Sequence, residues 1–217
     1  MKHILVCLLL LTISLGSPAE SGTITGRVQI QKTDQQERPR RYYMGPYRSG
    51  RHATMIPEGP QNTVIYLKAP IPPSEATAAP VVEMKQENEM FVPYVLPIQK
   101  GTSVSFPNKD AYYHNVFSVM SGERFDLGRY ARGETTFQTF DTPGVVVVRC
   151  EIHPGMKAYI LILDTPHFAV PDASGEFSLP NIPPGTYELA SWHPDHGNQS
   201  QTVTVSDDQP TLANFAY

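Results

Sequence analysis

Cys150, His153 and Met156 fall within the stretch Cys150-Glu151-Ile152-His153-Pro154-Gly155-Met156, directly after the apolar run Val145-Val146-Val147-Val148. A thiolate, an imidazole and a thioether are soft or borderline metal ligands. A tight loop leaving a buried strand can aim all three at one point, and the Pro154-Gly155 pair supplies the bend. A cysteine with a histidine three residues on also fits a buried thiol beside a surface histidine. Met156 and the strand-rich surroundings favour the metal over that alternative. Structural zinc is a weaker fit, because such sites use more cysteine and histidine and seldom a thioether.

Copper suits this donor set. An ion that alternates between two oxidation states needs a geometry acceptable to both. Two imidazoles and a thiolate in a trigonal plane, with a weak axial thioether, provide it. The loop carries three of these four groups, so the second imidazole must come from elsewhere. His114 is the best candidate, because it opens the stretch His114-Asn115-Val116-Phe117-Ser118-Val119 after a polar loop. One ligand from an early strand and three from a late loop would tie two sheets together at one end of a sandwich.

The elements that must position these residues are strands. The chain of 217 residues has 21 prolines, 15 glycines and 11 tyrosines, a composition that points to an all-β protein with many turns. Strands are expected at 22–30, at 63–67, at 90–98 with Pro93 and Pro97 confining it to an edge, and at 103–106. Further strands are expected at 114–119, 135–140, 145–150 and 157–163. Around Pro183-Pro184-Gly185 two more flank a turn, and two follow at 202–205 and 212–217. The net charge of -4 gives no reason to expect nucleic acid as a partner.

Residues 1–19 have the layout of a secretory signal peptide: Lys2 and His3, an apolar run from Ile4 to about Leu15, then Ser17-Pro18-Ala19. The run is too short to span a bilayer, which takes about 20 residues. Export, with a periplasmic location and no stable membrane insertion after cleavage, is the expectation. Cleavage would remove Cys7 and leave Cys150 as the one cysteine, a thiol that cannot form an internal disulfide. The stretch from Lys32 to His52, with five arginines among Tyr42, Tyr43 and Tyr47, fits either a docking surface for an acidic partner or a solvated loop. The proline-rich segment 71–80 is the expected linker.

His114-Asn115-Val116 followed by Cys150-x-x-His153-x-x-Met156 resembles the type 1 copper site of the cupredoxins, the plastocyanin and azurin superfamily. The ligand-loop spacing is similar to that of amicyanin, and Phe91 to Asn108 resembles the family's early strands. The resemblance covers roughly residues 81–164 and implies a Greek-key β-sandwich with one type 1 copper. It makes His114, Cys150 and His153 the equatorial ligands, Met156 the axial one and Asn115 a tuning residue beside the thiolate. It also implies outer-sphere electron transfer to redox protein partners through the edge of His153. Delivery of copper as cargo is the alternative. No acid/base pair is evident, so no enzymatic activity is expected. The His-x-His pairs of multicopper oxidases do not occur in the sequence.

Gly175-x-Phe177-x-Leu179 with Asn181-Ile182-Pro183-Pro184-Gly185-Thr186-Tyr187 resembles the carboxypeptidase regulatory-like, transthyretin-like domains. Such a domain is expected here as a smaller accessory β-sandwich, built discontinuously from 20–70 and 165–217 around the copper domain of 81–164. Trp192-His193-Pro194-Asp195-His196 fits a polar turn better than a second metal site, because no third ligand lies nearby in sequence.

Overall fold

The computed structural model describes residues 21–31, 59–68, 81–119, 123–207 and 209–217. The expected signal peptide, the arginine- and tyrosine-rich stretch and the expected linker all lie outside the described residues. The described chain is all-β, with a single 3-10 turn at Pro60–Asn62. Among the described residues no helix is long and apolar enough to cross a membrane.

Strands β1 (Gly22–Gln29) and β2 (Val64–Leu67) come first. Ten strands follow: β3 (Val82–Glu83), β4 (Lys85–Glu87), β5 (Met90–Val92), β6 (Val95–Gln99), β7 (Thr102–Pro107), β8 (His114–Ser118), β9 (Phe125–Tyr130), β10 (Thr135–Phe140), β11 (Gly144–Arg149) and β12 (Lys157–Leu163). The rest are β13 (Phe168–Ala169), β14 (Glu176–Ile182), β15 (Gly185–His193), β16 (Gly197–Val205), β17 (Thr211–Leu212) and β18 (Phe215–Ala216).

Strands β3 to β12 form two sheets and a hairpin. One sheet has the order β6-β12-β11-β8-β9, the other β10-β7-β3, and β4 pairs with β5 beside them. Met84, Phe106, Val116, Phe140, Val148 and Ile160 belong to one buried cluster within this group. The expected single strand over 90–98 is split into β5 and β6 at Pro93-Tyr94. Proline has no N–H to give a ladder, and β6, which holds Pro97, lies at the edge of its sheet.

The remaining strands come from both ends of the chain. β1 lies between β14 and β17 and also pairs with β18, while the second sheet runs β13-β2-β15-β16. Their core includes Ile24, Ile65, Leu67, Phe177, Leu189 and Val205. The turn at Pro183-Pro184 therefore carries the chain from one sheet to the other, since β14 pairs with β1 and β15 with β2 and β16. Gly26 permits a close crossing here: a Cβ at that position would lie 1.6 Å from the carbonyl oxygen of Ala213.

A third cluster joins the two groups. Val64 and Trp192 pack with Val95, Leu161 and Leu163. Side chains alternate across a strand, so Ala158, Ile160 and Ile162 of β12 enter the first core while Leu161 and Leu163 face the other group. This explains the unbroken apolar run Ile160-Leu161-Ile162-Leu163, because a strand buried on both faces has no polar positions.

Candidate metal centre

The loop from Cys150 to Met156 joins the antiparallel strands β11 and β12, whose last ladder pair is Arg149 and Lys157. Met156 N–H donates to the carbonyl of His153 at 2.8 Å, and Cys150 N–H reaches the carbonyl of Met156 at 3.4 Å. The first bond closes a four-residue turn with Pro154 and Gly155 at its centre, the arrangement a fixed proline φ favours. The loop folds back on its own start, which brings His153 beside Cys150.

His114 opens β8, opposite Tyr130 of β9, and is fully buried. Its Nδ1 lies 3.8 Å from Cys150 Sγ and 2.9 Å from His153 Nδ1, while His153 Nδ1 lies 3.9 Å from the same sulfur. His114, Cys150 and His153 are the one group of metal-ligating side chains with this convergence among the described residues. Met156 is buried in the same apolar cluster as Cys150.

These distances suit a metal. Bonds of about 2.0 Å to nitrogen and about 2.3 Å to sulfur in a trigonal plane separate sulfur from nitrogen by roughly 3.7 Å. Both observed sulfur–nitrogen edges are close to that. The nitrogen–nitrogen edge is shorter than the roughly 3.5 Å of such a plane, as hydrogen-bonded imidazoles are. The soft donor set and the buried thiol fit copper.

Burial raises the Cys150 thiol, but the contact with His114 and hydrogen bonds from the backbone N–H groups of Asn115, His153 and Ile152 outweigh it and hold the thiol below its ordinary value. When a thiol is so biased toward thiolate, its proton competes less with a metal for the sulfur. Burial lowers His114, yet its hydrogen bonds with Cys150 and Asp110 raise it overall. Burial, followed by the charge of His114, pushes His153 down.

Asn115 connects the early strand to the loop. Its Oδ1 accepts the Glu151 N–H at 2.7 Å, and its Nδ2 donates to Asp126 Oδ1 at 3.3 Å. His153 is half-buried, with Tyr112 edge-on to it at 6.4 Å between ring centres. Tyr112 and Tyr113 are both exposed. Asp110, four residues before His114, was not singled out by sequence reasoning. Its Oδ2 lies 2.9 Å from His114 Nε2. The sequence signal, an aspartate one loop-turn ahead of a candidate ligand, gains meaning only once the loop's path is known.

Part of the chain is similar to known proteins. Plastocyanin from Ulva arasakii is 32% identical over 83 residues, covering 33% of this chain and 85% of that protein. The chain belongs to the plastocyanin family. The plastocyanin of Ulva pertusa matches to the same extent. Among solved structures, a purple cupredoxin from Nitrosopumilus maritimus aligns at 22% identity over 37% of this chain and 98% of its own, with a TM-score of 0.34. A copper-containing nitrite reductase from Thermus scotoductus aligns at 28% identity over 49% of this chain and 27% of its own, with a TM-score of 0.37. These two scores are too low to bear on the architecture.

Residues 168–212 match the family described as polysaccharide lyase family 4, domain II. That is a different description from the carboxypeptidase regulatory-like domain expected from the Pro-Pro-Gly region. In the suggested second metal motif, the ring centres of His193 and His196 are 4.6 Å apart, and both rings pack on Tyr217. Asp195 N–H donates to His193 Nδ1 at 3.1 Å, within the turn between β15 and β16.

Proposed function

We propose that this plastocyanin-family chain holds one type 1 copper in the group His114, Cys150, His153 and Met156 and carries single electrons between redox partners. The observation that supports this best is the convergence of the two Nδ1 atoms on the Cys150 sulfur, at 3.8 Å for His114 and 3.9 Å for His153. When bound, copper supplies a reversible one-electron couple. The chain supplies a thiolate held by backbone N–H groups, a buried imidazole on a strand and a second imidazole on a loop. A donor set fixed by β8 and by the closed loop changes little between oxidation states, which keeps electron exchange fast. His153, half-buried beside the exposed Tyr112, is the edge nearest a docking partner.

We assign residues 81–164 to the copper domain, with 20–70 and 165–217 as a discontinuous accessory β-sandwich of carboxypeptidase regulatory-like type. The pairing of β1 with β14 and of β2 with β15 supports this division. Residues 1–19 act as the export signal, the protein works in the periplasm, and it is not an enzyme.

Replacement of the thiolate tests the site. Cys150→Ser leaves an oxygen too hard for the role, so copper(II) titration of the variant is expected to give no intense visible sulfur-to-copper band and much weaker uptake. Undiminished uptake by that variant would remove Cys150 from the site.

A further inference from the structure

His114 is held from behind as well as from the metal side. Its Nε2 lies 2.9 Å from Asp110 Oδ2, and the Asp110 side chain is only 11% exposed. The same carboxylate accepts two backbone N–H groups, from Asn88 at 2.7 Å and from Glu89 at 2.9 Å. Asn88 and Glu89 are the central pair of the hairpin turn joining β4 to β5, and both adopt left-handed backbone with φ of 56° and 55°. That conformation at both central positions belongs to a type I′ turn. It is uncommon for a residue such as glutamate and costs free energy, which the surrounding structure must offset. Here it turns two successive N–H groups toward one carboxylate.

The loop that carries Asp110 is pinned independently. Asn108 is fully buried, accepts the Asp110 N–H at 3.0 Å and donates to the carbonyls of Tyr112 at 2.8 Å and Tyr130 at 3.2 Å. The carboxylate therefore has little freedom to leave His114. Within this arrangement three of its contacts are donors: two amides and the imidazole.

We propose that Asp110 is a positioning residue of the metal centre: it fixes His114 as the Nε2–H tautomer, leaves Nδ1 bare toward Cys150, and strengthens that nitrogen as a donor to oxidised copper. This claim rests on the copper reading above. A neutral imidazole has one protonated and one bare nitrogen, and a partner on one side decides which is which. An anionic acceptor also pushes electron density toward the bare nitrogen, which favours the more highly charged state of a bound metal. The β4–β5 turn thus acts on the site through two relays, amide to carboxylate and carboxylate to imidazole.

The experiment compares wild type, Asp110→Asn and Asp110→Ala in two states. In the metal-free protein, nitrogen and proton resonances of the His114 ring report the tautomer and the exchange rate of the Nε2–H. A slowly exchanging Nε2–H is expected in wild type and in Asp110→Asn, whose amide oxygen still accepts, and rapid exchange in Asp110→Ala. In the loaded protein, competition titrations with copper(II) and copper(I) measure both affinities. Copper(II) affinity is expected to fall about 10-fold or more in Asp110→Ala. Asp110→Asn is expected to lose preference for copper(II) over copper(I), and a tenfold loss raises the reduction potential by about 59 mV. An Nε2–H that exchanges equally in all three proteins, or an unchanged potential in Asp110→Asn, would overturn the proposal. Should the wild type take up no copper, the functional reading fails while the ring resonances still decide whether Asp110 sets the tautomer.

Discussion

Removing the side chain of Asn115 should loosen the loop that carries three of the four proposed ligands. Asn115 is buried, and its Oδ1 accepts the Glu151 N–H at 2.7 Å, one residue past Cys150. Asn115→Ala deletes that acceptor and leaves the amide to find a partner inside the loop. Loss of one partner of a buried hydrogen bond costs about 1–3 kcal/mol. For a protein of this size a loss of ~2 kcal/mol lowers the melting temperature by about 4–8 °C. The contact to Asp126 is long, at 3.3 Å, and Asp126 is exposed, so Asp126→Ala should cost well under half as much. Calorimetry of the metal-free proteins measures both. Copper titration should then show an affinity about 10-fold or more weaker for Asn115→Ala, as expected when a group orienting a ligand is lost. Equal melting temperatures for wild type and Asn115→Ala would refute the idea that this bond braces the loop.

Two further outcomes follow from the packing and the charges. Trp192 packs with Val64, Val95, Leu161 and Leu163 between the two groups of strands, so Trp192→Ala should cost about 3–5 kcal/mol and split thermal unfolding into two separate transitions. A single transition at the wild-type temperature would contradict that. In the metal-free protein, burial raises the Asp110 carboxyl, but the Glu89 N–H, the His114 ring and the Asn88 N–H hold it below its ordinary value of 3.8. A depressed carboxyl contributes stability above its unfolded value and loses it as pH falls through the folded one. His114 is raised above 6.5, so its contribution is present below that value and is lost as pH rises through the folded one. Both act together only between the two ordinary values, so urea midpoints should show the destabilisation by Asp110→Asn largest near pH 5 and smaller at pH 3 and pH 8.

The legible parts of the sequence were those written in local spacing. Three soft donors within one loop, ahead of a strand and after an apolar run, pointed to Cys150, His153 and Met156 without any tertiary knowledge. His114 needed one inference about which strand faces the loop, and the structure brings its Nδ1 to the other two. Alternation marked the strands at 22–30 and 103–106, whereas the burial of both faces behind the run Ile160-Leu161-Ile162-Leu163 emerged only from the packing. Proline chemistry broke the expected 90–98 strand in two, a consequence that periodicity alone does not show. Asp110 stayed hidden because its partners are distant in sequence. The Asn88–Glu89 turn lies 21 to 22 residues before it, and no spacing rule links a hairpin turn to a carboxylate across such a gap. The sheet change at Pro183-Pro184 was hidden for a similar reason: a turn motif predicts reversal, not which strand each arm will join.

What His114, Cys150 and His153 do with copper decides the function of this protein. The most direct measurement is the optical and paramagnetic-resonance spectrum of the wild-type protein loaded with one equivalent of copper(II). A buried thiolate in a plane with two imidazoles predicts an intense sulfur-to-copper absorption in the visible and a narrow copper hyperfine splitting. Weak visible absorption with the wide splitting of a tetragonal nitrogen and oxygen site would contradict the assignment and leave the metal as cargo.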